Sequence, residues 1–104
     1  MILRGPFDGD DLATMLDALN DRAENFYNAA EATDGDAKNY FVLLADSHTL
    51  TYDKVYANLD LTSEEVIMIS EALKASADNC TELGDLDTEA AEYADLSARV
   101  LAFV

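Results

Sequence analysis

Residues 61–84 read Leu-Thr-Ser-Glu-Glu-Val-Ile-Met-Ile-Ser-Glu-Ala-Leu-Lys-Ala-Ser-Ala-Asp-Asn-Cys-Thr-Glu-Leu-Gly, and this stretch decides the fold class. Thr62 stands three residues before Glu65, the spacing of a capping box in which each side chain satisfies a backbone N–H at a helix start. Leu61 and Val66 flank that cap at the spacing of a hydrophobic staple. Val66, Ile69, Leu73, Ala77, Cys80 and Leu83 then recur every three or four residues, the period of one helix face. Glu64, Glu71, Asp78 and Glu82 form the opposite stripe, and Gly84 can take the left-handed conformation that closes a helix. The spacing predicts a helix over 62–83 with one apolar and one acidic face.

The same two-faced pattern extends in both directions. Upstream, Leu12, Met15, Leu16, Leu19, Ala23, Phe26, Tyr27 and Ala30 define an apolar face, with Asp10, Asp17, Asp21, Glu24 and Glu31 opposite. This predicts a helix over about 10–33, its N-cap supplied by Asp8, Asp10 or Asp11. The turn Asp34-Gly35-Asp36 offers a fresh cap for a helix over about 37–59. There Phe41, Leu44, His48, Tyr52, Val55 and Leu59 make a stripe that Tyr40, Leu43, Leu50 and Tyr56 widen beyond one face. Such breadth predicts the most buried helix of the set, although 41–52 also suits strands and a break near 47–51. Downstream, Asp85-Leu86-Asp87 is a link, and Tyr93, Leu96, Val100 and Phe103 give a last helix over about 88–103, with Glu89 in its first turn and Glu92 and Asp95 outward. Residues 1–7 read as a short arm pinned by Ile2, Leu3 and Phe7, kept out of the first helix by Pro6. Links of a few residues favour antiparallel neighbours. The expectation is an all-α fold: one domain over 1–104, a small antiparallel bundle of four helices with a short N-terminal arm.

Composition narrows function through charge. The chain has 104 residues, with 22 acids against 6 bases and a net charge of −16. Half its residues are hydrophobic, which separates it from disordered acidic tails. Duplex DNA carries one charge per about 1.7 Å of axis, so this charge corresponds to about 27 Å of duplex, the span of a domain with a radius of gyration near ~13 Å. Direct binding to nucleic acid or anionic lipid is therefore disfavoured, and basic surfaces are attracted. Cys80 is the single cysteine and falls on an apolar face, so neither a disulfide framework nor a thiolate metal cluster is expected. No apolar run reaches the ~20 residues of a membrane span. A cytoplasmic location, in the host cytoplasm for a viral protein, is the expectation.

The residues lack a recognisable reaction centre. His48 is the single histidine and lies on an apolar face, with Asp46 on another, so no base and orienter converge. Calcium loops starting at Asp8, Asp34 or Asp85 would place Ala13, Asn39 or Ala90 where glycine is needed and Leu19, Ala45 or Leu96 where glutamate is needed. The paired Glu-x-x-His of carboxylate metal bundles needs more than one histidine, and the glycines at 5, 9, 35 and 84 build no phosphate loop. No metal, cofactor or enzymatic activity is expected. Tyr27, Tyr40, Tyr52, Tyr56 and Tyr93 read mostly as core-edge residues, with a few of them able instead to anchor a protein partner.

Two functional expectations follow. In the first, acidic faces lying side by side imitate DNA and occupy the nucleic-acid site of a basic protein. In charge, size and helical make-up the chain resembles small acidic phage-type inhibitors of restriction, CRISPR or repair enzymes, though no motif places it in a family. The binding residues would be Asp10, Asp17, Asp21, Glu24 and Glu31, with a second line from Glu64, Glu71, Asp78 and Glu82. In the second, the acidity serves solubility in high salt, as 14 Asp against 8 Glu and only three Lys suggest, and the chain is a small helical adaptor or a homodimeric bundle. Mimicry wants the acids on one continuous surface clear of Arg4, Arg22, Lys38, Lys54, Lys74 and Arg99, whereas halophily wants them spread.

Overall fold

A computed structural model describes residues 1–82 and 87–104, the side chains of Thr81, Glu82 and Asp87 excepted. Its four helices are α1 (Gly9–Glu31), α2 (Gly35–Tyr56), α3 (Ser63–Glu82) and α4 (Asp87–Phe103). The all-α four-helix bundle is thus observed. The Gly84 cap and most of the link to α4 lie outside the described residues.

Local chemistry sets the helix starts. Asp8 is the N-cap of α1, its carboxylate accepting from the Asp11 N–H at 2.8 Å. At α3 the capping box forms reciprocally: Glu65 N–H donates to Thr62 Oγ1 at 3.2 Å, and Thr62 N–H to Glu65 Oε1 at 3.0 Å. Leu61 and Val66, the two arms of the staple, are both buried. Asp34 occupies the N-cap position of α2 but makes no side-chain cap bond. Gly35 follows it at φ 70°, a conformation that favours glycine. The carboxyl end of α2 comes three residues before the expected Leu59. Asn58 turns to φ 57° there, and Leu59 N–H reaches back to Lys54 O at 2.9 Å.

The core lies among α1, α3 and α4. Met15 and Leu19 meet Val66, Ile69, Leu73 and Val100, all six fully buried. The arm closes one end: Leu3 and Phe7 are buried, and Phe7 sets its edge against the Phe103 ring at 5.7 Å. Ile2, the third expected pin, stays exposed. Between α3 and α4 two serines interlock: Ser70 Oγ donates to Ser97 O at 2.9 Å and Ser97 Oγ to Ser70 O at 2.7 Å. Both hydroxyls are buried and satisfied, so small side chains let the two backbones approach without an orphaned polar group.

The second helix overturns an expectation. It runs unbroken through 47–51, yet it is not the most buried helix; of its residues only Ala45, His48, Thr51 and Val55 are buried. Tyr40, Leu43, Leu50 and Tyr56 are 60%, 66%, 62% and 72% exposed. The reason is placement. α2 packs mainly along α1, tied by Tyr27 OH to Asp46 Oδ1 at 2.6 Å, and its side-chain bonds to α3 come from its carboxyl half. These bonds are the Thr51 hydroxyl to Met68 Sδ at 3.4 Å and Lys54 Nζ to Glu65 Oε1 at 3.0 Å. A stripe as broad as that of α2 needs two flanking partners, and this helix has one. Tyr40 and Tyr56 accordingly stand in solvent, while Tyr52 and Tyr93 keep the core-edge position expected of them.

Seen whole, the molecule measures 42 × 36 × 19 Å with a radius of gyration of 13.8 Å. It is a slab: α1 and α3 are central, α2 and α4 outlying.

Candidate partner-binding surface

The acidic stripe of α1 is intact. Asp10, Asp17, Asp21, Glu24 and Glu31 are all exposed, along about 31 Å of helix at 1.5 Å per residue. Their crowding has an electrostatic signature. Partial burial, then the charges of Asp17 and Glu24, hold the Asp21 carboxyl above its ordinary value.

A second acidic line lies beside this one, and it comes from α4. Asp10 and Asp11 of α1 share a groove of 340 Å³ with Glu89, Glu92 and Asp95 of α4, with Tyr93 and Leu96 among the residues lining it. The Tyr93 hydroxyl is held above its ordinary pKa first by burial, then by charges that include Asp17, Asp21 and Glu89. One cation sits in this groove. Arg99 grips Asp11 with two N–H donors at 3.2 and 3.3 Å and reaches Asp95 at 3.0 Å. The Asp11 hydrogen bonds above all hold its guanidinium more firmly charged. Arg99 therefore pins α4 to α1, and the acidic surface includes a base that the mimicry expectation wanted elsewhere. Lys54 is kept off it by pairing with Glu65, whereas Arg22, lying over the Phe26 ring at 5.4 Å from its centre, also shares a small groove with Asp21.

The α3 acids go elsewhere. Glu64 and Glu71 stand at a second cleft, of 570 Å³, between α1, α2 and α3, together with Arg22, Phe26, Phe41 and His48. Asp78 is exposed on α3, and the side chain of Glu82 lies outside the described residues. The structure thus brings Asp10 and Asp11 of α1 to one groove with Glu89, Glu92 and Asp95, and sets Glu64 and Glu71 at another.

His48 forms part of the second cleft. It is 4% exposed, and its Nδ1 lies 2.7 Å from the Leu44 carbonyl oxygen, which can only accept, so Nδ1 carries the proton. Burial first, then the nearby Arg22 charge, keeps the ring below its ordinary pKa against the opposing pull of Leu44 and Glu71. In the neutral ring Nε2 is a bare acceptor, and among the described residues it has no hydrogen-bond partner. The Phe26 ring lies tilted against it at 5.3 Å and stacks on Phe41 at 6.4 Å.

Among the described residues no three His, Cys, Asp or Glu side chains are grouped to hold a metal ion. No helix among them is long and apolar enough to cross a membrane. Comparison with protein-family models, with curated proteins and with solved structures gave no match.

Proposed function

We propose that this is a non-enzymatic interaction protein whose carboxylates engage a basic, nucleic-acid-binding protein surface in the manner of DNA. The observation that carries the reading is the groove in which Asp10 and Asp11, at the amino end of the acidic α1 face, meet Glu89, Glu92 and Asp95 of α4, so that carboxylates of a second helix add to those a single helix can offer. Two lines matter because one acid per ~5.4 Å turn is sparser than the phosphates of a duplex, which number about three over that distance. The ridge is less dense than DNA overall. A duplex as long as the 42 Å axis carries about 25 phosphates, against a net charge of −16 here, so the protein imitates DNA at roughly two-thirds of its linear charge. Its target is accordingly a basic groove that accepts incomplete occupancy, and affinity falls steeply with salt.

The test is retention of host proteins on the immobilised chain at moderate salt, followed by competition with duplex DNA. Basic nucleic-acid enzymes that duplex displaces, and that a combined Asp17→Asn, Asp21→Asn, Glu24→Gln variant holds at least about tenfold more weakly, support the reading. Bound proteins indifferent to duplex sink it.

A second reading has its own observation. Asp36, Asp46, Asp53 and Asp60 are exposed on or just beyond α2, and Glu64, Glu71 and Asp78 on α3, so exposed carboxylates occur on every helix. Spread of this kind suits an acidity that keeps the surface hydrated in concentrated salt. A chain that folds only in molar salt and retains no basic protein would establish that reading in place of the first.

A further inference from the structure

The cleft between α1, α2 and α3 is where α2 and α3 part. They touch at Thr51–Met68 and Lys54–Glu65, and toward the amino end of α2 the space between them is floored by Phe26 of α1. Its volume of 570 Å³ falls within the range of small-molecule sites, about 300–1,000 Å³. Its lining is of the kind such sites use: aromatic faces from Phe26, Phe41 and Tyr40, with the flexible thioether of Met68 in the wall.

Three features specify what fits. The rings call for a flat aromatic body. His48 Nε2, fixed as an acceptor by the Nδ1 bond to Leu44, calls for an N–H or O–H donor on that body. Glu64 and Glu71 at the margin, both exposed and set against the single guanidinium of Arg22, call for a cationic tail. We propose that this cleft is a binding site for a small aromatic amine whose ring N–H donates to His48 Nε2 and whose ammonium lies at Glu64 and Glu71. Nε2 has no solvent exposure in the absence of such an occupant, so the donor reaches it by displacement of a lining side chain. The site stands apart from the α1–α4 ridge and does not depend on the partner proposed for it.

The probe is tryptamine, titrated into the full chain by calorimetry and followed by the imidazole resonances of His48. Saturable one-to-one binding that shifts those resonances is the expected result. Its indole N-methyl derivative, which lacks the donor, binds at least about tenfold more weakly, the usual order for a buried acceptor left unpaired. Indolepropionate, with a carboxylate in place of the amine, is weakened by at least as much. Two variants separate the site from the fold. His48→Leu abolishes the discrimination between tryptamine and its N-methyl derivative, a ratio that a general loss of stability does not move. Tyr40→Ser, at an exposed position, weakens both. Equal binding of tryptamine and its N-methyl derivative overturns the proposal. So do shifts spread over the α1 and α4 acids instead of the cleft, or no saturation at millimolar concentration.

Discussion

A histidine whose Nδ1 proton is already given to Leu44 O, and which is 4% exposed, is poorly placed to accept another. The unfolded chain offers the same imidazole to water, where it takes a proton near pH ~6.5. With the folded ring held below that value, the unfolded state binds more protons in the window between the two. The contribution of His48 to stability is therefore whole above about pH 6.5, declines as the pH falls from there, and is spent once the folded pKa is passed. Urea unfolding followed as the pH falls from about 7 should show that decline. In His48→Leu it should be absent, because the variant keeps an apolar side chain there and loses the titration.

At the scale of the element, α2 distinguishes what pattern can say from what packing decides. Replacing Leu43 and Leu50 together with Ser should leave stability within about 0.5 kcal/mol per site of the parent, as expected of surface positions. Leu73→Ala, in the core, should cost about 2–5 kcal/mol. Chemical denaturation of the two variants checks both figures, and a large loss in the first would put Leu43 and Leu50 in a core the structure denies them. The contrast also marks how far the chain could be read in advance. The helices of the core were legible because Val66, Ile69 and Leu73 in α3, like Leu12, Met15 and Leu19 in α1, repeat at one period and face one way. The capping box at Thr62 and Glu65 was equally plain, since all its determinants are local. The exposure of Tyr40 and Leu43 was not, because an apolar residue looks the same whether or not a neighbour arrives to cover it. Nor was the Ser70–Ser97 lock, which depends on two positions 27 residues apart meeting across a helix pair. For the candidate surface, the α1 acids were readable from periodicity. Their true companions on α4 were a matter of which helices become neighbours.

For the whole molecule, charge is the quantity that sets behaviour. Sixteen uncompensated charges repel one another, and salt screens them over a Debye length of about 10 Å at 0.1 M. Thermal unfolding should move to higher temperature as salt rises from a few millimolar to about that concentration. A melting temperature unchanged over this range would show that the charges are too dispersed to matter. The crowding on α1 gives a sharper version of the same test. With Asp21 held above its usual carboxyl range by burial and by Asp17 and Glu24, its charged form is disfavoured in the fold and that strain is relieved by acid. The Asp17→Asn, Asp21→Asn, Glu24→Gln variant should therefore melt higher than the parent at low salt. If the ridge is the binding surface, the same variant binds worse while folding better, the trade expected when a surface is shaped for recognition.

A helix that leans on one neighbour can leave without the rest. α2 is secured chiefly through α1, with a hydroxyl–thioether contact and an ion pair joining its carboxyl half to α3, while the buried cluster of α1, α3 and α4 takes Val55 from it and has Tyr52 packed at its edge. Native-state hydrogen exchange should resolve this as two levels of opening: amides of 40–50 released by a partial unfolding well below the global free energy, and those of α3 near Ile69 and Leu73 only when the whole chain unfolds. Equal protection in both helices would mean that the slab opens as one unit. Unequal protection would give the protein a native excursion in which three helices persist and the fourth is free to explore solvent.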